Sequence, residues 1–212
     1  STLVLMIILF ASSGRIDWVW AWVYAAITVG IVIVNTVLFL PGNRELIAER
    51  AEAKQNTKSW DRVFTKIFLV PYFGTFLLAG LDIRFGWSPQ LTLAIQLIAG
   101  VLVVAGYGLV TWAMMSNKFF SRTVRIQKDR GHTVATTGPY QYVRHPGYVG
   151  MLAYTLATPL LLGSLWALIP SASMACRFII RTSLEDKTLQ EELDGYREYA
   201  RHVKYRLIPK IW

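Results

Sequence analysis

Three segments of this chain are long and apolar enough to cross a lipid bilayer as helices, and they restrict the possible folds more than any other feature. A spanning helix needs about 20 predominantly apolar residues, because the hydrocarbon core is about 30 Å thick and a helix rises about 1.5 Å per residue. Residues 16–40, 63–81 and 91–115 meet this requirement. Because the bilayer offers the backbone no hydrogen-bond partners, they predict an all-α integral membrane protein. Glycines that predict close helix packing occur in the third segment at Gly100, Gly106 and Gly108.

Shorter apolar stretches raise the predicted number of transmembrane helices to five or six. Residues 148–162 and 165–180 predict a C-terminal helical hairpin that turns at Gly163-Ser164. Residues 2–11 are apolar but short, and they are either a truncated first span or the core of a signal peptide. A signal peptide would carry a basic flank and a small-residue cleavage motif, and neither accompanies this stretch.

The basic residues test this layout, because the cytoplasmic loops of membrane proteins are enriched in Lys and Arg. The chain has 22 Lys and Arg against 13 Asp and Glu, for a net charge of +9, yet it is 54% hydrophobic with a mean hydropathy of +0.39. That composition argues against a soluble enzyme and against a nucleic-acid partner. All the basic residues except Arg15 and Arg84 fall on one side of the predicted spans. The sequence therefore predicts that this side faces the cytoplasm.

Two segments on the predicted cytoplasmic side are too polar to span. Residues 43–61 are rich in Ala, Glu, Arg and Lys, which predicts a surface helix. Residues 184–204 carry apolar side chains among many charges, which predicts one amphipathic helix docked on the protein or on lipid headgroups. Since no repeat or low-complexity linker divides the chain, we predict a single domain, with spans in residues 1–115 and the cofactor-binding region in 116–212.

The polar segment 117–147 departs most from the pattern expected in lipid, and we expect the functional site there. It is rich in turn-forming residues and leads directly into an apolar helix. Irregular backbone beside a membrane needs surrounding protein or a water-filled cavity. The single cysteine, Cys176, excludes a multi-cysteine metal site, and the three histidines lack zinc-binding spacing. We therefore predict that no metal is bound.

This segment resembles the cofactor signature of the isoprenylcysteine carboxyl methyltransferases, and the related membrane phospholipid methyltransferases carry a similar motif. The resemblance rests on His132-Thr133-Val134, Thr137-Gly138-Pro139-Tyr140 and Arg144-His145-Pro146-Gly147-Tyr148-Val149-Gly150. A second motif follows the predicted hairpin, with Arg181, Glu185-Asp186, Leu189, Gly195-Tyr196, Tyr199 and Leu207-Ile208-Pro209. The resemblance covers roughly residues 117–212, although the acidic pair at 185 and 186 is shorter than the family's usual run of glutamates.

The resemblance implies a membrane enzyme that transfers a methyl group from S-adenosyl-L-methionine to a lipophilic acceptor at the cytoplasmic face. In this family the cofactor lies between the last spans, the preceding loop and the C-terminal helix. The residues implied to bind the cofactor are Gln127, His132, Thr133, Val134, Ala135, Tyr140, His145, Pro146, Gly147, Tyr148 and Glu185. Arg181 is implied to bind the substrate, and Arg181 and His145 are the candidate catalytic residues.

The implied roles fit the chemistry of these side chains. Tyr140 and Tyr148 offer aromatic faces to the adenine or the sulfonium, and Glu185 can accept charge-assisted hydrogen bonds from the cofactor. A carboxylate acceptor, such as that of a prenylcysteine, is already ionised and would need only Arg181 to orient it. An amine acceptor, such as that of a phospholipid, must first lose a proton, and His145 is the candidate base. The resemblance favours the carboxylate and leaves the amine as the alternative.

Simpler roles remain open for three of these residues. Arg181 could reach the membrane interface or pair with Glu185 four residues later. Arg144 could bind a headgroup phosphate, and His132 could simply cap the loop. Two other functions are also open. A membrane sterol reductase holds NADPH in similar last helices, but most have more spans. A transporter or structural membrane protein would be expected to carry ionisable residues in mid-span, and the predicted spans carry almost none.

Overall fold

The computed structural model describes residues 2–39 and 58–212, and seven α-helices lie within them. The helices are α1 (Thr2–Ser13), α2 (Val19–Phe39), α3 (Ser59–Phe85), α4 (Leu93–Met115), α5 (Pro146–Leu162), α6 (Leu168–Glu192) and α7 (Tyr196–His202). Two single 3₁₀ turns, Lys128–Arg130 and Gly138–Gln141, lie in the polar segment between α4 and α5. The prediction of an all-α chain is confirmed for these residues.

Three helices, α2, α3 and α4, are long and apolar enough to cross a membrane. They coincide with the three predicted long segments, although α3 has 27 residues and extends beyond its predicted bounds at both ends. Pro71 lies inside α3, where its ring removes one backbone donor, and the carbonyl of Pro71 accepts a hydrogen bond of 2.9 Å from the Thr75 hydroxyl. Helices α1 and α5 are apolar but shorter.

Helices α5 and α6 form the predicted hairpin, and the break falls at the predicted position. Helix α5 ends at Leu162 because Gly163 adopts the left-handed conformation, with a φ of 82°, and its N–H caps the carbonyl of Leu160 at 3.2 Å. The second arm is longer than predicted, because α6 continues without a break to Glu192 instead of ending at residue 180.

The prediction of one amphipathic helix over residues 184–204 is wrong. Residues 184–192 are the last turns of α6, and Leu193 then takes an extended backbone conformation with a φ of −110°. Gly195, with a φ of 79°, allows the chain to turn sharply into α7. The predicted surface helix at 43–61 lies outside the described residues up to residue 57, and Ser59 to Asp61 begin α3.

Helices α4 and α5 pack so closely that their backbones meet. A Cβ atom on Gly106 would lie 2.8 Å from the carbonyl oxygen of Gly150 and 2.9 Å from the amide of Tyr154, so both glycines are required for the contact. The predicted packing role is confirmed for Gly106 and wrong for Gly108, which has nothing within 4 Å of a Cβ position. A Cβ on Gly100 would make only an ordinary contact of 3.5 Å with a leucine side chain.

The polar segment between α4 and α5 folds over the end of this helix pair and is enclosed by the end of α6 and by α7. Tyr140 packs in a buried cluster with Leu193, Tyr196 and Tyr199. The chain after α7 returns to the start of α5, where the carbonyl of Arg206 accepts a backbone hydrogen bond of 3.0 Å from His145. The residues predicted to be functional are therefore assembled by elements that are distant in sequence.

Candidate functional site

A cavity of about 420 Å³ opens where the polar segment, α5, α6 and α7 meet. Its volume lies in the range of small-molecule sites, about 300–1,000 Å³. The predicted site residues that line it are Gln127, His132, Thr133, Val134, Ala135, Tyr140, His145, Gly147, Tyr148, Arg181 and Glu185. Pro146 is buried as the first residue of α5, where its missing N–H costs nothing, and it does not line the cavity. The structure thus brings two predicted motifs together in one cavity, and their roles stay predictions.

The cavity has a polar end and an apolar end. The polar end is formed by the segment after α4 and by the last turns of α6. The apolar end reaches between the helices, where it is lined by Phe68, Tyr107, Val110, Met151 and Phe178. Tyr107 lies eight residues before the end of α4, so this part extends about 12 Å along that helix. The shape suits a ligand that combines a polar head with a long apolar group.

Asp186 is the centre of a buried network in the cavity wall. Its carboxylate has no exposed surface and accepts hydrogen bonds from Arg144 Nε at 2.7 Å and Arg144 Nη2 at 3.0 Å. Tyr196 and Arg206 donate to the same carboxylate at 3.0 and 2.9 Å. Burial alone would raise the pKa of Asp186, but hydrogen bonds from His145 and Arg144 outweigh it and hold the pKa well below its ordinary value. The carboxylate is therefore ionised at physiological pH.

Arg144 is part of this network and does not face the lipid headgroups. Besides its paired hydrogen bonds to Asp186, its Nη1 donates to the carbonyls of Val203 at 2.9 Å and Lys204 at 2.7 Å. The side chain is 7% exposed. The alternative that Arg144 binds a headgroup phosphate is therefore wrong, because the guanidinium joins the segment before α5 to α6 and to the chain after α7.

His145 lines the cavity with one ring nitrogen already engaged. Its Nε2 lies 3.2 Å from Asp186 Oδ1 and 3.4 Å from the Tyr196 hydroxyl. Because an ionised carboxylate can only accept hydrogen bonds, Nε2 carries a proton, and in the neutral ring Nδ1 is then the acceptor. The network fixes the orientation of the imidazole.

Arg181 and Glu185 lie one turn apart on α6, but they do not pair with each other as their spacing allowed. Glu185 Oε2 accepts a hydrogen bond of 2.6 Å from the Tyr148 hydroxyl. Arg181 instead pairs with Asp61 at the start of α3, with 2.8 Å between Nε and Oδ1 and 3.2 Å between Nη2 and Oδ2. Its guanidinium also lies 5.8 Å from the centroid of the Tyr148 ring. The alternative that Arg181 extends to the membrane interface is therefore wrong.

Gln127 and His132 shape the loop that forms the polar end. The buried Gln127 donates to the Phe119 carbonyl at 2.7 Å, and its backbone N–H donates to His132 Nδ1 at 3.3 Å. Burial, followed by the nearby charges of Arg125 and Arg130, lowers the pKa of His132 from 6.5 to about 4. His132 is therefore neutral at physiological pH, and its Nδ1 binds the loop backbone, while its predicted contact with the cofactor stays a prediction.

Tyr140 joins the loop to α7. Its carbonyl accepts a hydrogen bond of 2.7 Å from the Tyr199 hydroxyl, and its own hydroxyl accepts one of 3.3 Å from Asn117. Burial raises the pKa of the Tyr140 phenol, so the side chain stays neutral. Val134 and Ala135 pack against the same cluster.

Several residues of the site were missed by the sequence analysis. Asp186 stands next to Glu185 in the second motif, and this position was the only signal in the sequence that pointed to it. Asp61 offered none, because it lies 120 residues before Arg181 and outside both motifs. Arg144 was assigned to the wrong environment.

The fold and the cavity together define a helical protein with membrane-length helices and a partly polar cavity at one end of the helix bundle. Residues 97–191 match the model of the isoprenylcysteine carboxyl methyltransferase (ICMT) family. This region of the chain is similar to that family, so the resemblance seen in the first motif and in the start of the second is confirmed.

Three relatives named protein-S-isoprenylcysteine O-methyltransferase illustrate the similarity. The protein of Schizosaccharomyces pombe is 29% identical over 147 residues, which cover 68% of this chain and 58% of the relative. The protein of Saccharomyces cerevisiae is 32% identical over 106 residues, covering 49% of this chain and 44% of the relative. The human protein is 30% identical over 111 residues, covering 49% and 37%. The matched regions thus span between 37% and 58% of the length of these relatives.

Proposed function

We propose that the protein transfers a methyl group from S-adenosyl-L-methionine to the carboxylate of an isoprenylated cysteine. The observation that carries the proposal is a cavity lined by residues of both motifs. Its polar end holds the residues implied to bind the cofactor, and its apolar end is open to a lipophilic group. The names of the relatives support the same reaction and the same class of acceptor.

The polar end suits the cofactor. The backbone of residues 133–135 can pair with the adenine edge, and Glu185 is placed to accept hydrogen bonds from the ribose or the ammonium. The bound cofactor supplies an activated methyl group, so the protein has to position the reactants and exclude water rather than create a nucleophile. The fixed ring of His145 and the aromatic face of Tyr148 complete this end.

The apolar end and Arg181 suit an acceptor with a carboxylate and a prenyl chain. A carboxylate is ionised at neutral pH and attacks the methyl group directly, with no base required. Amine methylation would need a base, and in the predicted base, His145, Nε2 is directed at the buried Asp186, so only Nδ1 could take the proton. The names of the relatives favour O-methylation over methylation of a lipid amine.

We further propose that α1, α5 and the apolar part of α6 lie in the bilayer together with the three longer helices, giving about six membrane helices. The cavity would then face the cytoplasm. Two facts support this arrangement: the segments around the cavity carry most of the basic residues, and the two exceptions lie together at the opposite end. There, a Cβ on Gly14, next to Arg15, would be 3.6 Å from the guanidinium carbon of Arg84.

The reaction is tested with the purified protein in detergent and labelled S-adenosylmethionine. We expect methyl transfer to a farnesylcysteine analogue and much less transfer to a phospholipid extract. S-adenosylhomocysteine should raise the melting temperature, and NADPH should not. Methylation of the lipid extract alone, or stabilisation by NADPH alone, would contradict the proposal.

Two variants separate the two ends of the cavity. Glu185→Ala should weaken S-adenosylhomocysteine binding at least about tenfold, since a hydrogen bond to a charged group contributes about 1.5–3 kcal/mol. Arg181→Ala should leave this affinity within about threefold and abolish transfer to the acceptor. The matched control is Asp194→Ala, which removes an exposed carboxylate close to the site. Loss of cofactor binding in Arg181→Ala and not in Glu185→Ala would reverse the assignment.

A further inference from the structure

Asp61 is a fully buried carboxylate at the first turn of α3, and it joins three elements near the cavity. On α6, it pairs with Nε and Nη2 of Arg181 at 2.8 and 3.2 Å. On the polar segment, its Oδ2 accepts a hydrogen bond of 2.8 Å from the backbone N–H of Val124. Asp61 does not line the cavity itself. Any effect it has on a ligand must therefore act through the groups that it holds.

These contacts fix the orientation of the Arg181 guanidinium. Nη2 donates hydrogen bonds to Asp61 Oδ2 at 3.2 Å and to the Arg122 carbonyl at 2.6 Å, and Nε lies 2.8 Å from Asp61 Oδ1 in an ion-pair contact that lacks hydrogen-bond geometry. The guanidinium carbon lies over the Tyr148 ring, 5.8 Å from its centroid. Nη1 is not engaged by Asp61 or by the Arg122 carbonyl, so it is the nitrogen that can meet a ligand carboxylate. An arginine without Asp61 would keep its charge but lose this orientation.

We propose that Asp61 is the positioning residue for the acceptor-binding arginine. The inference rests on the proposed function, because Arg181 would orient the carboxylate of the methyl acceptor. Placing that carboxylate in line with the transferred methyl group requires a guanidinium held in one geometry, and small displacements of reacting groups are costly. Asp61 supplies that geometry from α3, a helix that contains none of the motif residues.

The test compares binding of a prenylcysteine with binding of its methyl ester. The acid carries the carboxylate that Arg181 recognises, whereas the ester has the same prenyl group and no charge. In Asp61→Asn, the preference for the acid over the ester should fall at least about tenfold, with KM for the acid rising more than kcat falls. S-adenosylhomocysteine affinity should stay within about threefold. A purely structural role would weaken acid and ester equally.

The matched control is Asp82→Asn. Asp82 is the other aspartate of α3, and it is 2% exposed. Its carboxylate accepts hydrogen bonds from the hydroxyls of Ser88 and Ser164, and none of these residues lines the cavity. The Asp82→Asn variant should have a lower melting temperature and the same preference for the acid over the ester as the wild type. An unchanged preference in Asp61→Asn, or an equal loss in both variants, would overturn the inference.

A double-mutant cycle shows whether Asp61 acts through Arg181. Arg181→Gln should lose the acid preference, and adding Asp61→Asn should change it by less than about threefold. The double variant can also be measured if Asp61→Asn alone does not fold, because it leaves no uncompensated buried charge. A clear additional loss in the pair would overturn the inference. Failure of the wild-type protein to methylate any prenylcysteine would instead refute the proposed function.

Discussion

Two neighbouring parts of the molecule are held together in opposite ways. Between α4 and α5, the glycines at 106 and 150 let two backbones touch, and no charged group takes part. Around Asp186, four elements meet through directional hydrogen bonds to one ionised carboxylate. The first contact depends on shape alone, as suits helices in lipid. The second builds a polar cavity wall next to an apolar bundle, which requires that every buried charge is paired.

The largest expected effect of a single substitution falls on the charged network. Asp186→Ala would leave Arg144, Arg206 and Tyr196 without their common partner, and breaking a buried ion pair costs about 3–5 kcal/mol. We expect a strongly lowered melting temperature in detergent and no measurable binding of S-adenosylhomocysteine.

The control for this prediction is Asp194→Ala, eight residues further along the chain and beyond the end of α6. Asp194 is exposed, and its removal should change the free energy of unfolding by less than about 0.5 kcal/mol. Equal stability of the two variants would contradict the role of Asp186 as the centre of the network.

The sequence predicted the parts of the fold that follow from local patterns. Long apolar runs specified α2, α3 and α4, and Gly163 marked the turn of the hairpin, because both signals lie within one element. The residues predicted from the two motifs also meet at one cavity, and their roles stay predictions. Of the residues predicted to bind the cofactor or the substrate, Pro146 is the one outside the cavity lining.

The features that the sequence did not predict depend on contacts between segments that are distant in the chain. The helix α6 continues through its polar end because that end packs on the loop and on α7, whereas the charge pattern suggested a boundary near residue 180. The pairing of Arg181 with Asp61 joins residues 120 positions apart. The local spacing on one helix predicted Glu185 as its partner, and the tertiary contact overrode it.

A smaller effect is expected in the uncharged contact. Gly150→Ala would place a Cβ against the Gly106 carbonyl and 3.0 Å from the Val110 amide, so the helices must separate. Overpacking of this kind costs about 1–3 kcal/mol. Gly108→Ala is the matched control in the same region, because its Cβ would meet nothing within 4 Å. A lowered melting temperature in both variants, or in neither, would contradict the structural difference between these glycines.

The smallest effect concerns pH, and it distinguishes the two regions directly. Because the pKa of His132 falls from 6.5 to about 4 on folding, an opened loop binds a proton between these pH values and the folded loop does not. The loop is therefore fully stable above about pH 6.5 and loses stability as the pH falls towards 4. S-adenosylhomocysteine affinity should weaken between pH 7 and pH 5 in the wild type and less in His132→Gln. Gly108→Ala, altered only in the uncharged region, should keep the wild-type pH dependence, whereas equal pH dependence in wild type and His132→Gln would exclude His132 as the titrating group.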